Sequence, residues 1–330
     1  MKKNVLTILA LTVSAGLAFA QGNVSTVSST GNGNVANVTQ AGLTNNADIT
    51  QNGDNHLANQ TQSGTSNQAF IDQADAGNDA HQFQSNTGNT AQASQVFGAF
   101  DNYSYQNQYG NYNNATTEVY YGSNNSAYQY QGGEGNWAYS GHNGNNNSST
   151  SDQFGQASST YRWAGGSGNS SFQSQGANNS YEQIQQYGDG NYVDQYQYNG
   201  AYNNAVVYQW GSGNNSRQYQ LGSSNLANVD QEGNGNRAEQ LQGGLSRQPS
   251  EGGGWFYEGE AASDANDAGI DQTGSDNEAL QGQYDAGSHL ADAIQNGTLN
   301  RSSQVQRGSD HQSTVTQIGN SNVANIIQNN

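Results

Sequence analysis

Residues 31–51 read GNGNVANVTQAGLTNNADITQ. The stretch contains one pattern twice: Gly31, Asn34, Ala36 and Gln40, then Gly42, Asn45, Ala47 and Gln51. The pattern G-x-x-N-x-A-x-x-x-Q recurs, next as Gly64, Asn67, Ala69 and Gln73. Units begin at residues 31, 42, 53, 64, 75, 86, 99, 110, 122, 133, 144, 155, 166, 177, 188, 200, 211, 222, 233, 263, 274, 286, 297, 308 and 319. Most steps are 11 residues, a few are 12 and one is 13, while the 30-residue step from 233 to 263 is an interruption. Over these 25 units the first position is Gly in 19, the second Asn in 20, the third Ala or Ser in 22 and the fourth Gln in 22. The Gly-, Asn-, Gln- and Ser-rich composition alone would also permit disorder, but a disordered chain does not keep four positions in register along its length.

Asn, Ala and Gln stand at offsets +3, +5 and +9 from the glycine, and with +7 they share parity. A strand therefore presents them on one face, with +4, +6 and +8 on the other. Gly at offset 0 supplies the positive φ of a tight turn. Candidate stacking residues are Asn34, Asn45, Asn67, Asn89, Asn191, Asn225, Asn236 and Asn322 at +3. At +9 they are Gln40, Gln51, Gln73, Gln95, Gln197, Gln231, Gln242 and Gln328. Candidate turn glycines are Gly31, Gly42, Gly64, Gly188, Gly222, Gly233 and Gly319. Offset +7 alternates between polar and mostly apolar: Gln60, Ile71, Gln82, Ala93, and later Gln195, Val207, Gln218, Val229. The alternation resumes in phase beyond the interruption as Ile270, Gln281, Ala293, Gln304 and Val315, while Val38 and Ile326 at the two ends depart from it. The true repeat is thus two units, one strand–turn–strand arch of about 22 residues with like strands stacked on like. This predicts an all-β fold, a two-sheet β-solenoid of amyloid-like cross-β character. Asn and Gln would bond to their copies one rung away over about 60 Å of stack.

The chain begins with Lys2 and Lys3, an apolar run from Val5 to Leu17, and Ala18-Phe19-Ala20. This is the form of a secretory signal peptide cleaved after Ala20, and the run is too short for a membrane-spanning helix. The expected layout is a leader at 1–20, a short segment at 21–30, 19 units over 31–242, an interruption at 243–262, and six units over 263–330. Both lysines leave with the leader, so six arginines face 26 acids and the mature net charge is 6 − 26 = −20. That balance argues against a nucleic-acid partner. Cysteine is absent, so export brings no disulfide framework.

His56, His289 and His311 replace the ladder Asn, and His142 replaces a Gln. They are read as ladder substitutes and not as metal ligands, because their spacing forms no ligand cluster. Asp54, Asp75, Asp189 and Asp285 occupy turns sporadically, without the fixed nine-residue spacing of calcium-binding β-rolls. Tyr105, Tyr128, Tyr130, Tyr139, Tyr196, Tyr208 and Tyr219 fall on outward offsets and are read as an aromatic face. Arg162 and Glu182 fall on inward offsets, where a charge is costly, and an altered rung is expected around 142–164. Pro249 and Gly252-Gly253-Gly254 mark the interruption, read as a loop leaving the stack. No nucleophile–base set or phosphate-binding loop appears, so neither an enzyme nor a cofactor site is expected.

The runs Gln40-Ala41-Gly42 and Gly233-Asn234-Gly235-Asn236-Arg237-Ala238-Glu239-Gln240-Leu241-Gln242 resemble the curlin repeat, Q-x-G-x-G-N-x-A-x-x-x-Q. The resemblance covers residues 31–242 and 263–328. It implies a secreted subunit of curli, the extracellular amyloid fibres of biofilm matrix and adhesion. Implied partners are further copies of the chain, other curlin subunits and a dedicated outer-membrane secretion pore. The final unit, Gly319, Asn322, Ala324 and Gln328, matches throughout, so an uncapped end open to head-to-tail stacking is expected. The other readings are a monomeric solenoid adhesin and a minor nucleating subunit.

Overall fold

The computed structural model describes residues 22–154, 166–243, 265–284 and 288–329. The residues read as a leader, most of the interruption, Arg162 and Asp285 lie outside them. Sheet one holds β1 (Val24–Thr30), β3 (Asn46–Asp54), β5 (Gln68–Ala76), β7 (Thr90–Phe100), β9 (Asn114–Ser123), β11 (Trp137–His142), β14 (Ser170–Asn178), β16 (Tyr192–Ala201), β18 (Asn215–Leu221), β20 (Arg237–Gln242), β22 (Glu278–Tyr284), β24 (Arg301–Arg307) and β26 (Val323–Asn329), adjacent in that order. Sheet two holds β2 (Val35–Leu43), β4 (Leu57–Thr65), β6 (Asp79–Ser85), β8 (Tyr103–Asn111), β10 (Ser126–Glu134), β12 (Ser148–Phe154), β15 (Tyr181–Tyr187), β17 (Asn204–Ser212), β19 (Leu226–Asn234), β21 (Asp267–Ser275), β23 (Leu290–Thr298) and β25 (Gln312–Asn320). The two-residue β13 (Gly166–Ser167) pairs with β10 off this path. Every pairing is parallel, and successive strands alternate between sheets, as the two-unit repeat requires. The register sets like on like: Ala47 opposite Ala69 and Gln51 opposite Gln73. The protein is a β-solenoid of two parallel sheets.

Most corners carry two left-handed residues at fixed offsets. One is at offset 0, with φ of 114° at Gly31, 109° at Gly188 and 102° at Gly319. The other, at offset +2, is filled by Gly, Asn, Asp and Ser and also by Thr, Ala, Leu and Tyr, as at Asn55 (60°), Leu299 (58°) and Tyr202 (61°). Glycine is required at offset 0 where φ is as wide as the 102° of Gly42, whose Cβ would overlap the carbonyl oxygen of Gly64 one rung away, whereas Asp75 and Asn86 hold that position at 72° and 71°. Corners of successive rungs lie backbone on backbone.

Three features differ from the sequence reading. β1 lies inside residues read as a segment before the repeats, and it pairs along its length with β3. It keeps Asn23, Ser25 and Val27 at pattern positions but has Ser29 in place of the glutamine. Second, the unit read at 155 adds no rung. β11 pairs directly with β14 and β12 with β15, so Asn169 bonds to Asn136, 33 residues earlier. Residues 155–165 lie outside the described stack. At the later interruption β19 pairs with β21 and β20 with β22, a step of 41 residues between Asn225 and Asn266.

The third difference follows from the second. Leaving out one unit exchanges the sheets, so the +7 alternation does not hold one phase through the stack. Up to Ala93 the apolar +7 residues, Val38 of sheet two apart, belong to sheet one, where Ile49, Ile71 and Ala93 pack on Ala58 and Ala80 of sheet two. From Ile184 onward, Ile326 of sheet one apart, they belong to sheet two, where Ile184, Val207, Val229, Ile270 and Ala293 pack on Val193, Ala238 and Ala279 of sheet one. Between these two dry clusters lies a polar middle, with Thr117, Ser140, Ser149, Ser151 and Ser171 inside.

Candidate assembly ladders and surfaces

The asparagine ladder joins side chain to backbone. The Asn67 backbone N–H donates to Asn45 Oδ1 at 3.0 Å, and Asn67 Oδ1 accepts the N–H of Asn89 at 3.0 Å. Its Nδ2 donates to the Asn86 carbonyl, in the next rung's corner, at 3.0 Å. Asn34, Asn45, Asn191, Asn225, Asn236 and Asn322 repeat parts of this arrangement. One small amide thus satisfies corner groups on neighbouring rungs, which explains why Asn recurs at +3.

Glutamine at +9 bonds to its own kind. Gln40, Gln62, Gln84, Gln108, Gln131, Gln153, Gln186, Gln209, Gln231, Gln272, Gln295 and Gln317 form one unbroken run of Nε2–H···Oε1 bonds through sheet two, each 2.8–3.1 Å. Each Nε2 also donates across to a backbone carbonyl of sheet one, as Gln62 does to Asn46 at 2.9 Å. The ladder therefore ties rungs to each other and the sheets together. In sheet one the matching run through Gln51, Gln73 and Gln95 is broken at Val119 and His142. It resumes from Gln175 through Gln197, Gln242 and on to Gln328.

The histidines at +3 keep the asparagine role. The backbone N–H of Asn78 donates to His56 Nδ1 at 3.3 Å, and that of His311 to His289 Nδ1 at 3.2 Å. Nδ1 is then an acceptor, and His289 Nε2 faces the Tyr284 carbonyl at 3.1 Å as donor. Burial lowers the pKa of both His56 and His289, which suits this neutral form. Among the described residues no group of three or more His, Cys, Asp or Glu is placed to hold a metal ion.

The polar middle is the least regular part of the stack. His142 Nε2 lies 3.0 Å from Ser149 Oγ and 3.3 Å from Ser140 Oγ, and the two hydroxyls bond to each other. All three side chains are closed to solvent, so only neighbouring rungs reach them. Burial drives the His142 pKa down to about 3. Because its folded pKa lies below its unfolded value of about 6.5, stability is lost as pH falls below the unfolded value. His142→Gln, which restores the ladder residue, is expected to remove that loss. At pH 5 the variant should gain about 2 kcal/mol on the parent relative to their difference at pH 7, read from urea unfolding at both pH values.

Glu182 stands at the +5 position held by Ala or Ser in 22 of the 25 units. It is 0 % exposed, neither carboxylate oxygen has a partner, and burial raises its pKa well above the ordinary value. Burial without a partner thus favours its neutral form and penalises the carboxylate. Glu182→Gln is expected to stabilise the fold at pH 7 by on the order of 2 kcal/mol, an advantage that fades below pH 4 in the same unfolding series.

The seven outward tyrosines fall on two faces and not on one. Tyr105, Tyr128, Tyr130 and Tyr208 project from sheet two, and Tyr139, Tyr196 and Tyr219 from sheet one. On sheet one Tyr139, Phe172, Tyr196 and Tyr219 stack in line at centroid spacings of 4.7, 5.0 and 4.8 Å. On sheet two Phe83, Tyr105 and Tyr130 do so at 5.5 and 5.4 Å. Offset parity assigns a residue to the outside but does not say which sheet carries it. The corners carry a further group that parity misses: Phe97, Phe100, Tyr120 and Tyr121 are exposed where the 13-residue step bulges out of β7. That irregular step is the sequence signal for it.

Both ends of the described stack have strand partners on one side only. β25 pairs with β23, β26 with β24, β1 with β3 and β2 with β4. Interior strands such as β15 and β18 alternate half-buried and buried, whereas β26 alternates exposed and half-buried and β1 is exposed throughout. Val24, Val323 and Ile327 are 55, 68 and 70 % exposed. Among the described residues no helix is long and apolar enough to cross a membrane. Compared with known protein families and with curated proteins, the chain matches none.

Proposed function

We propose that this chain is a secreted structural subunit that stacks end to end into an extracellular fibre of the curli type, serving biofilm matrix and adhesion. The observation that carries the reading is the pair of one-sided strand edges at each end of the stack, flanked by Asn and Gln ladders in register. Such an edge presents unpaired N–H and C=O groups together with side chains that bond best to copies of themselves. The leader read at residues 1–20 supports export, and the resemblance of the repeats to curlin supports the class of fibre. The aromatic ladders on both faces suit lateral contact between filaments. Electron microscopy of the purified chain, aged at neutral pH, tests the proposal. Unbranched filaments are expected; persistent separate particles about 60 Å long would refute it.

A further inference from the structure

The alternating path contains thirteen strands in sheet one and twelve in sheet two, so β1 and β26 lie in the same sheet. A chain that alternates between sheets places whatever follows β26 in sheet two. From this parity we infer that successive copies in the fibre are turned by half a turn about its axis, β1 of the next copy pairing with β25 and its β2 with β26. The inference rests on the end-to-end stacking proposed above and specifies its partner as a second copy in one register.

Three observations support it. The first is parity itself. A copy added without rotation would set β1 on β26 and leave one strand position empty in sheet two, between β25 and the next β2.

The second is side-chain identity across the junction. In the half-turn register Ser313, Thr314 and Val315 of β25 meet Ser25, Thr26 and Val27 of β1. On the other sheet Asn322, Ala324 and Gln328 meet Asn34, Ala36 and Gln40. Asn325 meets Asn37, which within one chain already bonds to Asn59 at 2.8 Å, so this outward amide ladder runs on. Ser29 interrupts one glutamine ladder in either register, under Gln317 with the half turn and under Gln328 without it, but the unrotated register also sets Ala324 on Ser25 and gives Gln40 and Asn37 no partner in the previous copy.

The third is the sheet exchange inside the chain. The apolar +7 residues end in sheet two, at Ala293 and Val315, and begin in sheet one, at Val27 and Ile49. A half turn lays sheet one of the next copy over sheet two of the last, so the apolar row continues across the junction. On the opposite sheet the Gln row meets Ile326 and Val38, the two residues that break the +7 alternation. In this register they stack on each other, next to Val315 and Val27, and close the junction as a dry cluster. The sheet exchange and the odd strand number thus compensate each other once per chain.

The chain lacks cysteine, so paired cysteines report the register directly. Thr39, Ser28, Thr316 and Ile327 all stand at outward offset +8. In aged filaments treated with dibromobimane, which joins thiols a few ångströms apart, Thr39→Cys/Ile327→Cys is expected to yield covalent multimers on a denaturing gel. Ser28→Cys/Thr316→Cys should do the same independently. Ser28→Cys/Ile327→Cys, the pair apposed without rotation, should stay monomeric at the level of the single variants. Multimers from that last pair alone would overturn the half turn and leave end-to-end stacking intact. Filaments in which none of the three pairs joins would overturn the register. Failure of the unsubstituted chain to form filaments would overturn the stacking and this inference with it.

Discussion

Gly211→Ala is expected to destabilise the fold by about 3 kcal/mol or more, a large effect for one methyl group at a surface corner. Gly211 has φ of 119°, a region that side-chain-bearing residues rarely adopt. A Cβ there would also overlap the carbonyl oxygen of Gly233 in the next rung. Neither atom can give way, because that carbonyl also accepts from Asn214 Nδ2 at 2.9 Å. Gly213, two residues on in the same corner, provides the control. Its φ of 68° is ordinary left-handed geometry, and nothing lies within 4 Å of a Cβ built on it. Gly213→Ala should cost about 1 kcal/mol, and Gly213→Asn less, since asparagine holds this corner position at Asn55, Asn124 and Asn146. Urea midpoints of the three variants check the ranking. Equal losses for Gly211→Ala and Gly213→Ala would mean that backbone conformation, and not the close contact between rungs, sets the glycine requirement.

Asn214→Asp should be at least as damaging at neutral pH. Asn214 is buried, its backbone N–H donates to Asn191 Oδ1 at 3.0 Å, and its Nδ2 donates to the Gly233 carbonyl. Aspartate keeps the shape and the acceptor for the Asn236 N–H. It removes the donor, however, and sets a buried charge against a carbonyl oxygen. The expected loss is about 3–5 kcal/mol at pH 7, the range for an uncompensated buried charge. Burial raises the carboxyl pKa in the fold above the unfolded value, so the deficit is full above the folded pKa and shrinks as pH falls toward 4, where the protonated acid donates again. Unfolding at pH 7 and pH 4 checks both size and sign. A deficit independent of pH would place its cause outside the charge.

These variants act on positions that were legible in the sequence. Gly, Asn, Ala and Gln recur because each meets a backbone or side-chain copy of itself one rung away, and that constraint writes a period into the chain. The +7 position revealed the two-sheet arrangement for the same reason. What escaped reading obeys weaker constraints. β1 lies at an end of the described stack, and its Ser29 leaves it outside the pattern although its backbone pairs in full. Residues 155–165 retain enough spacing to pass for a unit, and only the pairing of β12 with β15 shows that the stack closes without them. One unit fewer reverses the sheets, so the apolar row changes sides and Tyr196 and Tyr219 share a face with Tyr139. The second left-handed corner residue stayed hidden because Gly, Asn, Asp and Ser all tolerate φ near 60° there. A ladder demands identity and is visible in a sequence; a solvent-facing turn demands only a conformation.

The claim at the centre of this account is that chains follow one another along a filament as one continuous stack. Twenty-five strands in two sheets rise about 60 Å per chain at the strand spacing of a β-sheet. A mass of 34.9 kDa then gives roughly 6 kDa per nanometre of single filament. Mass per length from scanning transmission electron microscopy of unstained filaments measures this directly. A value near 6 kDa per nanometre, or whole multiples of it for bundles, is the predicted result. A single filament well away from that value would mean that chains join side by side or through other segments, which contradicts end-to-end stacking.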